Sequence, residues 1–410
     1  MAFFSRHRFF SAGAAIWTVA LIFFCGLGCG KDTTGVSVTG QRTGVTSDEI
    51  RIGSSLALGG HAGYLGTQVL QGTLSCIRRI NDDGGIHGRT IRLIVKDDGY
   101  DPTRCLFNTQ QLILEEKVFC LFSYVGTPTT VRVLPLVDEA GIPILGMLTG
   151  ANRLREPANP LFINVRASYY QEIRAAVEMM VQQKGLDRIA VFYQYDEYGF
   201  DGLRGAELAL KAFDLKPVAK GTYVRGTLDV VKGLSKIAES KAQAVVMIGT
   251  YDACARFIRL AKGYGFSPLF YNVSFVGVSE LARRLGELGE GVMVSQVVPP
   301  PRAALEGKAK SLGRELPGIK AYMADLNTYY PGASPSYVGL EGYINAKILA
   351  EALERAGRDL TREGFVGAIE SIHHLDLGIA NPISFGKNDY QGLEKVYFTI
   401  IRGGQPVLVQ

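Results

Sequence analysis

The sequence predicts an α/β protein built on doubly wound parallel sheets, and three observations point there. Its 410 residues exceed what one compact core holds, so about two domains are expected. Strand-like and helix-like stretches alternate in two successive series, the pattern of parallel strands joined by right-handed crossovers. The run Pro299-Pro300-Pro301 then breaks the alternation and reads as a linker. The composition is globular, 47% apolar and 20% charged with 20 Phe and 19 Tyr, which excludes a disordered or collagen-like chain. The 49 glycines exceed the usual share of about 7% and predict many turns or close backbone approaches.

The first series starts at Glu49. Ile50 to Leu58 reads as a buried strand. Val69, Thr73, Ile77 and Ile80 recur at helical spacing, and Asn81 to Gly85 supplies glycines for a left-handed cap. Thr90 to Lys96 is the next strand. Pro102 opens a helix to Glu116, and Val118 to Tyr124 is a strand. Pro128 opens a helix that Gly141 ends, and Ile142 to Leu148 is a strand.

The second series begins with a helix from about Tyr170 to Lys184 and a strand from Arg188 to Tyr193. A helix near Leu203 to Phe213, a strand near Lys216 to Tyr223 and a helix from Asp229 to Ser240 follow. Ala244 to Ile248 is a strand, Ala253 to Lys262 a helix, and strands lie near Leu269 and Val292. Beyond the prolines come helices near Ile319 to Tyr329, Tyr337 to Ala356 and Thr361 to Ser371. Strand-like segments near Ile383 and from Val396 to Arg402 end the chain.

The N-terminus reads as an export signal. Arg6, His7 and Arg8 precede the apolar run Ala14 to Phe24, and Gly26, Gly28 and Gly30 follow. Residues 1–28 are therefore expected to be a signal peptide, since the apolar run is shorter than the ~20 residues of a membrane span. Leu27-Gly28-Cys29 resembles a bacterial lipobox, which makes Cys29 the expected lipidation site. Ordinary signal-peptidase cleavage would cut the same bond without lipid. Residues 29–47, rich in Thr, Ser, Gly and Val, read as a flexible tether.

Four other cysteines remain outside the signal: Cys76, Cys105, Cys120 and Cys254. Export permits disulfides. Cys105 and Cys120 are a candidate pair, because the helix folds back beside the strand; the other reading is two buried thiols. Cys76 and Cys254 read as core. No CxxC or Cys/His cluster suggests a metal site.

Nothing in the chain assembles a catalytic set. Gly59-Gly60-His61-Ala62-Gly63-Tyr64-Leu65-Gly66 follows the first strand, but its spacing is not the G-x-G-x-x-G of a dinucleotide site. Asp97 and Asp98, where a ribose-binding acid would sit, are weak support alone. No Walker A, G-x-S-x-G or HExxH motif occurs. His373-His374 with Asp376 reads as a turn rather than a metal site. Net charge is +5, or +3 once Arg6 and Arg8 leave with the signal, which argues against a nucleic-acid partner. No enzyme and no cofactor is expected; binding is.

Several segments resemble one family. Asn81 to Pro102 (NDDGGIHGRTIRLIVKDDGYDP) resembles the N-I-N-x-x-G-G-I-x-G-x-x-I-x-L-x-x-x-D-D-x-x-D-P stretch of type I periplasmic solute-binding proteins, in their leucine/isoleucine/valine-binding group. VDEAGIPIL (Val137 to Leu145), YDEYGFDGL (Tyr195 to Leu203), GVMVSQVVPPP (Gly291 to Pro301) and YVGLEGYINAKIL (Tyr337 to Leu349) are similar too. The resemblance covers about Ser47 to Gln410. It implies two lobes joined by a three-strand hinge, with ligand enclosed between them. Carried over, one lobe is 48–166 plus 299–372 and the other 167–298 plus 373–410.

The resemblance also implies the cleft residues. Tyr124, Val125 and Thr127 fall in the loop that holds a ligand carboxylate, and Leu148, Thr149 and Gly150 in the loop that bonds the head group. Tyr64 and Leu65 fall where an aromatic lid covers the ligand. Tyr169, Tyr198, Tyr251, Ser274 and Phe275 fall at cleft positions of the second lobe. A Thr hydroxyl and free amides at a helix N-terminus suit an anion. One departure matters: where leucine-type proteins place acids near the ligand ammonium, this chain has Tyr169 and Ser274. Asp196, Glu197 or Asp252 would have to substitute, or the ligand is not a simple α-amino acid.

The function expected is an exported, lipid-anchored, monomeric solute-binding protein. It would capture a small carboxylate-bearing ligand, an amino acid foremost, and deliver it to the membrane permease of an ABC uptake system. Within the same fold, the alternatives are a ligand-sensing subunit for a membrane receptor and a binder of an aromatic acid or amide. From another class the alternative is an exported α/β enzyme.

Overall fold

The computed structural model describes residues 43–301 and 316–409. The expected signal peptide, 1–28, and the expected lipidation site Cys29 lie outside the described residues. The first sheet collects β1 (Glu49–Leu56), β2 (Thr90–Asp97), β3 (Cys120–Phe122), β4 (Ile144–Leu145) and β5 (Phe162–Ile163) in the order β2-β1-β3-β4-β5, all parallel. Between them run α1 (Gly63–Asp82), α2 (Pro102–Leu114) and α3 (Thr127–Ala140). Asp101 caps α2, its carboxylate accepting from the Arg104 amide with Pro102 behind it, and Gly141 ends α3 at φ 54°.

The second sheet is larger. It contains β6 (Ile189–Gln194), β7 (Lys220–Tyr223), β8 (Ala244–Ile248), β9 (Leu269–Asn272), β10 (Met293–Gln296), β11 (Tyr397–Arg402) and β12 (Gln405–Leu408). Its order is β12-β11-β10-β9-β8-β6-β7. Its helices are α4 (Tyr169–Glu178), α5 (Glu197–Lys211), α6 (Val231–Glu239), α7 (Tyr251–Gly263) and α8 (Val278–Leu285). The interiors of β6 and β8 are buried at every position, as a sheet covered on both faces requires.

This sheet departs from the all-parallel expectation. β11 runs antiparallel to β10, and β12 antiparallel to β11. The sequence reading missed that hairpin, whose turn is Gly403-Gly404 with both residues at positive φ. It placed a strand at Ile383 instead, which pairs with Leu375 only as an isolated bridge. β5 and α8 were missed as well. The Tyr170 to Lys184 helix is α4 continued by a π-helical turn over Met179–Gln183.

After the prolines the chain returns to the first sheet. α9 (Pro317–Tyr329) and α10 (Tyr337–Ala356) lie against α1, and α11 (Arg362–Glu370) lies on α10. The α1–α10 contact is backbone to backbone. A Cβ on Gly72 would lie 1.8 Å from the Gly339 carbonyl oxygen, and one on Gly342 2.4 Å from that of Val69. Gly72→Ala is therefore expected to destabilise the protein by about 1–3 kcal/mol, because neither helix has a side chain to move aside. Urea unfolding checks this, and an unchanged midpoint would remove the contact from the argument.

The connections at the hinge hydrogen-bond to each other. The Asn164 amide donates to Tyr390 O at 2.8 Å, and the Gly392 and Leu393 amides donate back to Asn164 O and Val165 O. Arg155 braces the same place, donating to Gln391 Oε1 at 2.8 Å and to Arg166 O at 3.0 Å.

Two expectations are corrected here. The tether ends earlier than Ser47: Gly44 O accepts from the Arg51 amide at 2.8 Å, and Val45 pairs with Ile50. Gly44, at φ 83°, packs so tightly on Val118 and Phe119 that no side chain fits. Cys105 and Cys120 are free buried thiols. Gly53 faces Leu112 of α2 and pairs with Leu121, so Cys120, one residue earlier, points to the opposite face of the sheet. Cys105, on α2, is on the near side. Burial pushes the Cys120 thiol up to about 12.

Among the described residues no helix is long and apolar enough to cross a membrane, and no His/Cys/Asp/Glu group could hold a metal. His373-His374 and Asp376 form a turn, with Asp376 accepting from the Gly378 amide. Asp97 and Asp98 hold loops. Burial pushes Asp97 up, but the Gly99, Leu58 and Gly59 amides outweigh it and hold the carboxyl below its usual range. Asp98 accepts from Ser55 Oγ at 2.7 Å and from the Tyr100 amide at 2.8 Å.

Candidate functional site

The loops at the carboxyl ends of the parallel strands of both sheets meet, Tyr100 with Phe275 and Arg225, at the place where open α/β sheets bind ligands. On the first side, Thr127 opens α3 and Thr149 follows β4. Their hydroxyl oxygens are 2.7 Å apart, and both residues are buried. Thr149 Oγ1 also accepts from the Ala151 amide at 3.2 Å. Two hydroxyls that share one bond leave one O–H able to donate outward. Beside them the α3 N-terminus supplies a favourable dipole for an acceptor.

Tyr100 forms the wall next to this pair. It is held at φ 64°, a left-handed conformation that a bulky residue rarely adopts, by the amide bond to Asp98. Gly126, at φ 97°, is required here: a Cβ would lie 2.0 Å from the Tyr100 ring. From the other side, Arg225 Nη1 donates to Tyr100 O at 3.0 Å, and its guanidinium stands 6.0 Å from the ring centroid.

A chain of rings then crosses the interface. Tyr100 and Phe275 are 5.9 Å apart, Phe275 and Tyr198 5.0 Å, and Tyr198 and Tyr169 5.2 Å. Tyr169 is fixed at the start of α4 by a capping box between Ser168 and Gln171. The hydroxyls of Tyr100, Tyr169 and Tyr198 are buried and have no hydrogen-bond partner among the described residues. Gln194 and Thr149 stand beside Tyr100 and Tyr169 without reaching hydrogen-bond geometry. Burial pushes the Tyr169 hydroxyl up to about 12, and those of Tyr100 and Tyr198 well above their usual value. All three therefore remain O–H donors at neutral pH. A buried hydroxyl without a partner costs about 1–3 kcal/mol, so three together call for acceptors.

The other expected residues fall as follows. The Tyr64 amide donates to the Tyr251 hydroxyl at 3.3 Å, and the two rings meet edge-on at 6.2 Å, which joins the sides. Leu65 lies under Gly277, where a Cβ would meet it at 2.8 Å. Gly150 approaches Tyr169, whose amide donates to Gly150 O at 2.7 Å. Val125 and Leu148 bridge each other as buried backbone. Tyr124 sits apart from the cluster: its hydroxyl is bonded to Thr109 Oγ1 at 2.9 Å, inside the first-sheet core.

Charge at the site comes from residues the sequence reading did not single out. Arg166, 2% exposed, ion-pairs with Glu172 at 3.3 Å and Glu341 at 3.4 Å. Glu172, fully buried, also accepts from the Ser274 amide at 2.8 Å and Ser274 Oγ at 2.9 Å. Ser274 therefore holds an acid reaching over from α4 rather than facing a ligand alone. A Glu in a first helical turn reads as a dipole partner, and only the fold brings it to Ser274, 102 residues away. Tyr100 had one local signal, its place in the DDGYDP stretch. Of the acids expected to substitute, Asp196 faces Arg225 at 3.5 Å, Asp252 pairs with Arg284, and Glu197 is exposed.

The sequence profile described as Periplasmic binding protein matches residues 49–405. The chain belongs to the periplasmic binding proteins. Within them it falls in the type I, branched-chain amino-acid group. It is 33% identical to a possible leucine/isoleucine/valine-binding protein from Rhodopirellula baltica, with a TM-score of 0.83 over 90% of this chain and 98% of that one. It is 24% identical to an amino acid binding protein of Pseudomonas aeruginosa over 70% of this chain and 78% of that one. It is 23% identical to Leu/Ile/Val-binding protein homolog 7 of Brucella abortus over 79% and 82%. The family is one of solute-binding proteins rather than enzymes. In this periplasmic binding protein the ring chain passes from Tyr100 of one sheet's loops to Phe275 and Tyr198 of the other's.

Proposed function

We propose that this chain is the exported solute-binding component of an ABC uptake system. In this reading residues 1–28 are removed and a lipid on Cys29 tethers the monomer to the outer face of the membrane. The lobes are 48–166 plus 299–372 and 167–298 plus 373–410, and they close over a small carboxylate-bearing ligand. The permease then receives it.

The observation that carries this reading is the Thr127–Thr149 hydroxyl pair, buried at a helix N-terminus beneath tyrosines from both lobes. Contacts from both lobes to one ligand exist only in the closed form, so ligand shifts the population toward closure. The relatives named for amino acids support a carboxylate as the common group.

A thermal-shift screen of the purified protein against amino acids, aromatic acids, amides and sugars tests this. A ligand at 100 times its Kd stabilises by about 2.7 kcal/mol, so tight binders are visible. Shifts confined to carboxylates are expected, and a response to sugars alone would sink the reading. Thr149→Ala is expected to weaken a carboxylate ligand by about 1–3 kcal/mol, measured separately from the fall in apo stability that follows from losing its bonds to Thr127 and the Ala151 amide. Titration calorimetry reads this directly, and unchanged affinity would remove Thr149 from the site.

A further inference from the structure

The acids around the cleft are committed, the exposed Glu197 aside. Glu172 and Glu341 share Arg166, Asp196 faces Arg225, and Asp252 and Glu280 share Arg284. Asp201, the other acid at the lobe contact, accepts from the Asn152 amide at 2.9 Å and lies near Arg155. At Ser274, where an acid was expected for a ligand ammonium, the guanidinium of Arg166 already bonds both the Ser274 hydroxyl and Glu172. A cation of the protein itself thus fills the role of that ammonium.

Among the described residues, the buried side-chain atoms without partners include Asp201 Oδ2 and, in the ring cluster, the hydroxyls of Tyr100, Tyr169 and Tyr198 and the Nε–H of Arg166, the last a donor only. Arg166 lies 5.9 Å from the Tyr169 ring centroid, so these donors share one region. Donors call for oxygen acceptors. A second cation beside Arg166 would be repelled by the guanidinium and would leave its Nε–H without an acceptor.

Resting on the cleft reading above, we propose that the ligand is a carboxylate carrying a neutral oxygen, hydroxyl or keto, where an α-amino acid carries its ammonium. Its carboxylate lies at Thr127 and Thr149. Its second oxygen is read by the tyrosine hydroxyls, and its body lies against Phe275.

Matched pairs isolate this one substitution. Calorimetry on the full chain would compare leucine with 2-hydroxy-4-methylpentanoate and its 2-keto acid, and phenylalanine with phenyllactate and phenylpyruvate. The oxygen-bearing member is expected to bind at least about tenfold tighter in one of the two series. Tyr198→Phe, which keeps the ring and removes the O–H, is expected to weaken that member about five- to tenfold, with the apo melt confirming the fold. Equal or tighter binding of the amino acids would overturn the proposal and leave the cleft reading standing. Binding of neither series, in a protein that answers only to ligands without a carboxylate, would overturn both.

Discussion

Replacing Arg166 by methionine is expected to cost about 3–5 kcal/mol of stability, the largest single-residue effect foreseen here. The reason is asymmetry. The guanidinium is 2% exposed and stands between Glu172 and Glu341, themselves 0% and 4% exposed. As a set the charges largely offset one another. Removal of the cation leaves two buried carboxylates facing each other in a low dielectric. Methionine roughly keeps the packing volume, so the loss reads out charge rather than a cavity. The triple variant Arg166→Met, Glu172→Gln, Glu341→Gln should recover most of it, because no charge is then left unpaired. Urea unfolding of the two variants decides the matter: a loss below about 1 kcal/mol in the single variant, or no recovery in the triple, would show that the cluster is not held by charge balance.

The second large effect is on pH dependence. Burial pushes the Glu341 carboxyl from 4.5 up to about 7, with Arg166 opposing and Glu172 adding to the rise. The folded protein therefore holds a proton that the unfolded chain has released between pH 4.5 and about 7. Its contribution to stability is fully present below the unfolded value and is lost as pH rises through that window. The loss approaches about 1.4 kcal/mol per pH unit, with a total of about 1–3 kcal/mol for a group coupled to two charged neighbours. Glu341→Gln carries a permanent neutral amide at this place and should flatten melting temperature against pH across the same window. Asp201, pushed up by burial to about 6, remains in the variant, so the difference between the two profiles belongs to Glu341. Parallel profiles would contradict the assignment.

The same cluster ties stability to function. Glu341 lies on α10 with the first lobe, and Glu172 on α4 with the second. Arg166 lies where the chain first passes between them. In the proposed closure over a ligand, charges that bridge the two lobes bias that balance as well as the fold. Arg155 ties this crossing to a second one by its bonds to Arg166 O and Gln391.

How much was legible in the sequence depended on the range of the cause. Local causes were read well. Asp101-Pro102 opens α2 and Gly141 ends α3 as expected, because capping and turn chemistry act within a few residues. The alternation of buried strands and amphipathic helices gave both series. The β11–β12 hairpin was harder, because two short strands at a sheet edge carry little periodicity.

The site divides in the same way. Thr127 and Thr149 were placed together through the resemblance of their loops, and they are 2.7 Å apart. Tyr124 was drawn into the same set by position in its loop, yet its ring points inward to Thr109. A strand end fixes where a residue is, and only packing decides which way its side chain turns. Cys105 and Cys120 teach the same lesson, since a one-residue step moves a side chain through the sheet.

By itself, then, the sequence determined the fold, the family and the strand ends that surround the cleft. Those follow from periodicity, caps and motifs, each of which is written within a few residues. The tertiary structure decided the charge state of the cleft. Arg166 and Glu172, 6 residues apart, meet Ser274 and Glu341 only when both sheets are formed. Whether a buried acid is free to hold a ligand or already committed to an arginine is a matter of a few ångströms between distant residues, and the linear chain carries no local mark of it.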